Sequence, residues 1–378
     1  MSGESRLNIE TSFFFDLPNF FVCVLVVLIL AQLIKLPRNY MLLLLAHCFI
    51  PFFLNDVLFP TSYMPDQFRY ITSVIEIRKG LELSEHSSNV INASWVLAFI
   101  PLPFIETVQS LGFFNKFIFI LTFFFLYHKR VLNRFSAYFI LLYPSIILYT
   151  ALSLRDTLIF CSMMLIAYFA TKRNLFLITV CLTPLYFIKF QNFFLMLPFL
   201  FFAIFDIAER GLSVKKGLIL LAVLAAVILL SFPITAPLIN DVRLAMYRED
   251  GGANLNEVPL ISGVSDFIYL GVTSGLYFFI KPLPWEAGSL LQLVQSFENL
   301  IIGFIVLKLT MQAWREKIGK LVFWLVLFLA SLSIYGLVVF NYGTAARYRF
   351  PFIVLYVVYV AYVCNITRVF SNKRELAI

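Results

Sequence analysis

Long apolar runs recur along the chain, too long and too unbroken for the period-two alternation of a half-buried strand. A spanning helix needs about 20 mainly apolar residues. The stretches that approach this are 17–34, 40–59, 135–152, 156–171, 174–189, 191–208, 217–239, 287–308, 321–340 and 350–367. Several are short, which implies tight packing or a thinned bilayer. The stretch 91–127 carries Pro101, Pro103, Glu106 and Lys116, and predicts a broken helix before one span at 113–128. The stretch 266–284 is apolar but runs into Lys281-Pro282-Leu283-Pro284-Trp285-Glu286, and predicts a re-entrant or surface helix. No internal repeat and no soluble domain is visible. The expectation is an all-α, polytopic transmembrane protein of about eleven spans. It forms a single domain over 1–378, with two larger exterior loops at 60–90 and 240–286.

Composition narrows the class. Of the 378 residues, 61% are AVILMFWYC and 13% are Asp, Glu, Lys or Arg, against roughly 25% charged in soluble domains. That excludes a soluble enzyme and a disordered chain. Continuous runs in place of short alternating strands argue against a β-barrel. The five Cys lie in apolar runs without CxxC spacing and read as small buried hydrophobes. The three His are scattered, with no HExxH and no DxD, so neither a metal nor a cofactor is expected. Glu4, Glu10 and Asp16 precede the first run with Arg6 as the one cation. That is not a signal-peptide n-region, and no cleavage is expected. Asn92-Ala-Ser94 and Asn365-Ile-Thr367 match the glycosylation pattern by chance.

The net charge of +8 is unevenly spread. Six short loops hold Lys35/Arg38, Lys129/Arg130/Arg134, Lys172/Arg173, Arg210/Lys215/Lys216, Lys308/Arg315/Lys317/Lys320 and Arg368/Lys373/Arg374. With Asp206, Glu209, Glu316 and Glu375 their net charge is +13, and the rest of the chain carries −5. Basic loops stay in the cytoplasm, which puts the N-terminus outside and the C-terminus inside.

Against that bias, Arg69, Arg155, Lys189, Lys281, Arg347 and Arg349 fall at or near the exterior ends of the runs. Each sits beside apolar sequence, where a charge is costly without a partner or a watery cavity. Arg155 pairing with Asp156, Lys189 snorkelling and a solvated Arg69 are the structural alternatives. Arg347 and Arg349 are harder to explain so, because they fall in a short loop of small residues before Pro351. A shared anion at the outer face accounts for all six, since Arg forks and Lys point charges suit phosphate and pyrophosphate. Asp66 is the first candidate base, with a turn or cap role as its alternative. Glu286 follows the Lys-Pro-Leu-Pro-Trp run, and Glu298 lies inside the next span, with a buried structural carboxylate as its alternative. Tyr70, Trp285 and Tyr348 could stack on sugars or belong to an interfacial belt.

These motifs resemble a known group. Asp-x-x-x-Tyr (Asp66, Tyr70), Ser-x-Arg (Ser153, Arg155) and Asn-x-Gly-Thr-x-x-Arg-Tyr-Arg-x-Pro (Asn341 to Pro351) are similar to the Wzy-type O-antigen and capsule polymerases, with their EpsG-like relatives. The EpsG-like pattern often has His near position 189, where this chain has Lys189. The resemblance implies a metal-independent, GT-C-like glycosyltransferase of the bacterial inner membrane. It would polymerise oligosaccharide repeat units carried on undecaprenyl pyrophosphate, at the periplasmic face. Asp66, Arg347 and Arg349 would be catalytic. Arg69, Tyr70, Arg155, Lys189, Lys281, Glu286, Asn341 and Tyr348 would bind substrate. Membrane lipids and a chain-length regulator protein are the implied partners, and nucleic acid is not. An O-antigen ligase, another lipid-linked glycosyltransferase or a lipid-linked oligosaccharide flippase are the competing readings.

Overall fold

The computed structural model describes residues 13–60, 63–212, 214–249 and 258–366. Glu4, Arg6, Glu10, the stretch 250–257 of the second large loop, Thr367, Arg368, Lys373, Arg374 and Glu375 lie outside the described residues. The described residues are helical apart from their connections. Four helices are long and apolar enough to cross a membrane: Phe13–Leu33 (α1), Ser110–His128 (α5), Leu290–Val338 (α15) and Tyr342–Val363 (α16). Shorter apolar helices accompany them, and together they mark a membrane-embedded protein.

The chain packs as two compact units, Met1–Phe201 and Phe202–Ile378. In the first, α1 lies against α5 and against Arg38–Leu54 (α2). The loop 60–90 is not irregular: it holds Asp66–Lys79 (α3), which packs on Ser88–Ala98 (α4). The expected span 135–152 is instead two short helices, Arg134–Leu142 (α6) and Pro144–Tyr149 (α7). Pro144 forbids helical geometry at Tyr143, which is extended (φ −70°, ψ 114°). Asp156–Thr171 (α8) and Leu175–Ile188 (α9) follow as expected. The expected span 191–208 breaks into Phe190–Met196 (α10), Pro198–Ile204 (α11) and Ile207–Arg210 (α12), where Pro198 starts a new helix and Asp206 is left-handed (φ 53°).

Two buried polar clusters tie the first unit together. Asp16 of α1 accepts hydrogen bonds from Thr107 and Ser110, and Asn19 joins α1 to the Phe104 carbonyl. Lys116 of α5, fully buried, donates to His47 Nδ1 (3.2 Å), the Ile147 carbonyl (3.1 Å) and Thr150 Oγ1 (2.8 Å). All three ammonium donors therefore have acceptors, which is what tolerating a buried cation requires.

In the second unit, Val214–Glu249 (α13) runs well beyond the expected span 217–239, so the large loop begins as helix. Val264–Ile280 (α14) packs along α15 and also meets α16. It is a member of this bundle rather than an isolated surface helix. The expected loop 308–320 is helical too. α15 is broken at Lys317 (φ −148°, ψ 47°), which leaves arms 290–316 and 318–338. At the α14–α15 crossing a Cβ on Gly336 would meet the Ser274 carbonyl, and one on Gly275 the Ser333 backbone. Such close approach between apolar helices needs small residues. Gly336→Ala is therefore expected to lower thermal stability by about 1–3 kcal/mol, measured by melting of the purified protein in detergent.

Four helices end alike. Lys35, Arg130, Arg173 and Asn365 sit in the left-handed region after α1, α5, α8 and α16. In each case the next N–H returns to a carbonyl five residues back (Leu36 to Ala31, Val131 to Leu126, Asn174 to Phe169, Ile366 to Ala361; 2.8–3.0 Å). Glycine usually fills that place. A side chain there costs roughly 1–2 kcal/mol, of which a cation at a helix C-terminus recovers about 0.3–1 kcal/mol.

Candidate functional site

The sequence-predicted residues fall in both units, and each group is described in its own frame. In the first unit the loop 150–155 is pinned against α5. Asn115 donates to the Leu152 and Leu154 carbonyls (2.6 and 2.7 Å), and Ser153 bonds the Val108 carbonyl. A Cβ on Gly112 would strike the Ala151 carbonyl, so the close approach depends on glycine. Gln67, two-sided with Asn55 (3.0 and 3.2 Å), accepts from the Ser153 N–H at 3.1 Å. The Asp-x-x-x-Tyr and Ser-x-Arg segments, 86 residues apart, are thus brought together by a residue that sequence reasoning missed. An amide inside the first motif was the available signal.

That anchoring aims Arg155 at the break between α9 and α10. Arg155 donates to the Ile188 carbonyl at 2.8 Å. The adjacent Lys189 is non-helical (φ −152°, ψ 83°) and buried. Arg155 thus reaches the backbone immediately before Lys189. Asp66 opens α3, half-exposed, 3.9 Å from Arg69. Arg69 instead commits its fork to Glu85 at 2.8 and 2.9 Å. Arg69 was expected to bind substrate, with a solvated side chain as the alternative, and here it pairs with the loop's own carboxylate. Tyr70 is 2% exposed and belongs to the core, which leaves it no face for a sugar ring. Arg78, also missed, caps three carbonyls, those of Ala98, Ile100 and Leu102.

Glu85 is held at about 2, far below the usual range, first by the Arg69 hydrogen bonds and then by backbone N–H groups of Ser87 and His86. A depressed carboxylate contributes stability above its unfolded value and loses it as pH falls through the folded one. The contribution is thus present above about pH 4.5 and lost between there and about 2. Melting temperatures of wild type and Glu85→Gln are expected to differ at pH 6 and to draw together as the pH falls toward 2.

In the second unit the Asn341–Pro351 motif is not a loop. α16 begins at Tyr342, so Arg347 and Arg349 lie inside the helix. Asn341 is its cap, accepting from Gly343 N–H (2.7 Å) and Thr344 N–H (3.4 Å). Arg349 is 1% exposed and spends its donors on the end of α14. It bonds the carbonyls of Phe278 (2.8 Å), Phe279 (3.2 Å) and Lys281 (3.0 Å), and the Asn299 side chain. Asn299 in turn donates to the Ile280 and Lys281 carbonyls, both at 3.0 Å. Arg349 was expected to act on substrate, and both of its terminal nitrogens are turned to the end of α14 and to Asn299. It fixes the backbone of Lys281 instead. Arg347 is buried beside Tyr348, whose ring packs 5.4 Å from that of Tyr335.

Lys281 points its ammonium to Glu286 at 2.7 Å and lies 4.6 Å over the Tyr277 ring. The hydrogen bond raises the Lys281 pKa and lowers that of Glu286. Next to it opens a cavity of about 470 Å³, with Lys281, Asn341, Tyr277 and Thr273 among its lining residues. Arg243 of α13 also lines it, buried, bonded to the Pro259 carbonyl at 3.0 Å and to the Leu337 carbonyl. Its Nε has no hydrogen-bond partner among the described residues. The cavity wall thus carries two cations and no carboxylate. Sequence reasoning missed Arg243 because it sat in what read as an exterior loop. No cluster that could hold a metal ion occurs among the described residues.

Compared with protein-family models, curated proteins and solved structures, the chain matches none.

Proposed function

We propose that this protein is a membrane glycosyltransferase of the GT-C type, with about eleven spans in a bacterial inner membrane. It joins oligosaccharide repeat units carried on a lipid pyrophosphate at the periplasmic face. One observation carries the reading. The segment with the most specific resemblance, Asn341 to Pro351, builds part of a cavity whose charged lining is cationic throughout. A leaving pyrophosphate needs such fixed positive charge. The acceptor hydroxyl attacks the anomeric carbon, and the bond to pyrophosphate breaks. The hydroxyl proton passes to a general base. Lys281 and Arg243 hold the pyrophosphate, and Arg349 positions Lys281 from behind.

The surface polysaccharide of a deletion strain tests this reading. Single repeat units without polymer are expected. Accumulation of unflipped units would favour a flippase, and loss of even single-unit capping would favour a ligase.

A further inference from the structure

A second cationic cavity lies wholly in the first unit, among helix ends that the site above does not use. It measures about 540 Å³. Tyr40 and Tyr127 form its floor, packed edge to face at 5.9 Å, and Tyr40 also meets Tyr138 at 5.0 Å. Arg130, Arg134 and His128 line the opening, with Asn133 between them. Lys35 and Arg38 stand on the neighbouring α1–α2 turn. None of Lys35, Arg38, Arg130 and Arg134 forms an ion pair among the described residues. No Asp or Glu lines the cavity. Arg130 is held in the left-handed region (φ 56°) on a turn closed by Val131 N–H to the Leu126 carbonyl, so its position is fixed by backbone.

Apolar residues line the cavity too, Ile34 and Pro37 among them. Phe21, Leu25, Ile29 and Leu33 run down α1 at i, i+4 spacing, 46–71% exposed, and end beside Ile34. At 1.5 Å per residue that stripe is about 18 Å long. A cationic pocket continuous with a lipid-facing apolar stripe fits a ligand with a phosphate at one end and an acyl chain at the other.

We infer that this cavity binds the phosphate headgroup of an anionic phospholipid, its acyl chain lying along α1. Arg130 and Arg134 contact the phosphate, and the tyrosine hydroxyls can donate to the headgroup. The inference does not depend on the glycosyltransferase reading, because the two sites share no residue.

Native mass spectrometry of the full-length, delipidated protein in detergent tests it. Phosphatidylglycerol is expected to bind at least about tenfold more tightly than phosphatidylcholine, since each basic residue near an anionic headgroup contributes measurably. The preference should disappear in the double variant Arg130→Gln/Arg134→Gln and persist in Arg315→Gln, which lies outside the cavity. If the double variant does not survive purification, the single variants are each expected to lose part of the preference. Equal binding of the two lipids by wild type would overturn the inference, as would an unchanged preference in the variants. Glycerol 1-phosphate binding as tightly as phosphatidylglycerol would assign the cavity to a soluble phosphate and overturn the lipid assignment.

Discussion

Arg349→Ala is expected to destroy stability and activity together. Its fork serves three carbonyls at the end of α14 and the side chain of Asn299 on α15. A hydrogen bond from a charged donor contributes about 1.5–3 kcal/mol, and each stranded buried acceptor costs about 1–3 kcal/mol. Shared among overlapping partners, the loss should reach about 3–5 kcal/mol, seen as a large drop in melting temperature. Arg349→Lys should recover little of it, because one ammonium cannot reproduce the planar fork. A stable but inactive Arg349→Ala would instead mean that the side chain acts on substrate.

Lys281→Ala separates the two roles. The Lys281–Glu286 pair is partly exposed, so its loss should change stability little. Removing a preorganised charge from the leaving group should lower the rate of polymer formation by about 10²-fold. The initial rate with lipid-linked repeat units, read beside a melting curve, checks both halves. Glu286→Gln removes the competing anion but keeps the cation, and should retain more activity than Lys281→Ala.

The two cations also show how far the sequence could be read. Spacing and charge singled out Lys281 and Arg349 and assigned both to substrate, whereas Arg349 serves the end of α14. A sequence does not reveal whether a guanidinium faces a ligand or a helix end. That depends on where α14 stops: Pro282 keeps Lys281 extended, and Arg349 and Asn299 then take the carbonyls left at the helix end. Arg69 failed for a similar reason, as Glu85 lies 16 residues away in a polar loop with no visible register. Arg243 was invisible because the helix carrying it continues past the apolar run that predicted it.

The apolar runs themselves were legible wherever a single long helix forms, as in α1, α5 and α16. They misled where proline or a left-handed residue cuts a run, at Tyr143–Pro144, Leu197–Pro198 and Asp206. They misled again where helix persists through polar sequence, around Lys317. Hydropathy measures the solvent a segment prefers, and is silent on where its backbone hydrogen bonds end.

Reconstitution with a lipid-pyrophosphate-linked repeat unit is the most direct test of the central claim. Purified protein in liposomes should convert single units into a ladder of longer lipid-linked products, releasing one lipid pyrophosphate per bond formed. The ladder should be absent with Lys281→Ala at short times. Single units that stay single in the presence of folded wild-type protein would contradict the polymerase account.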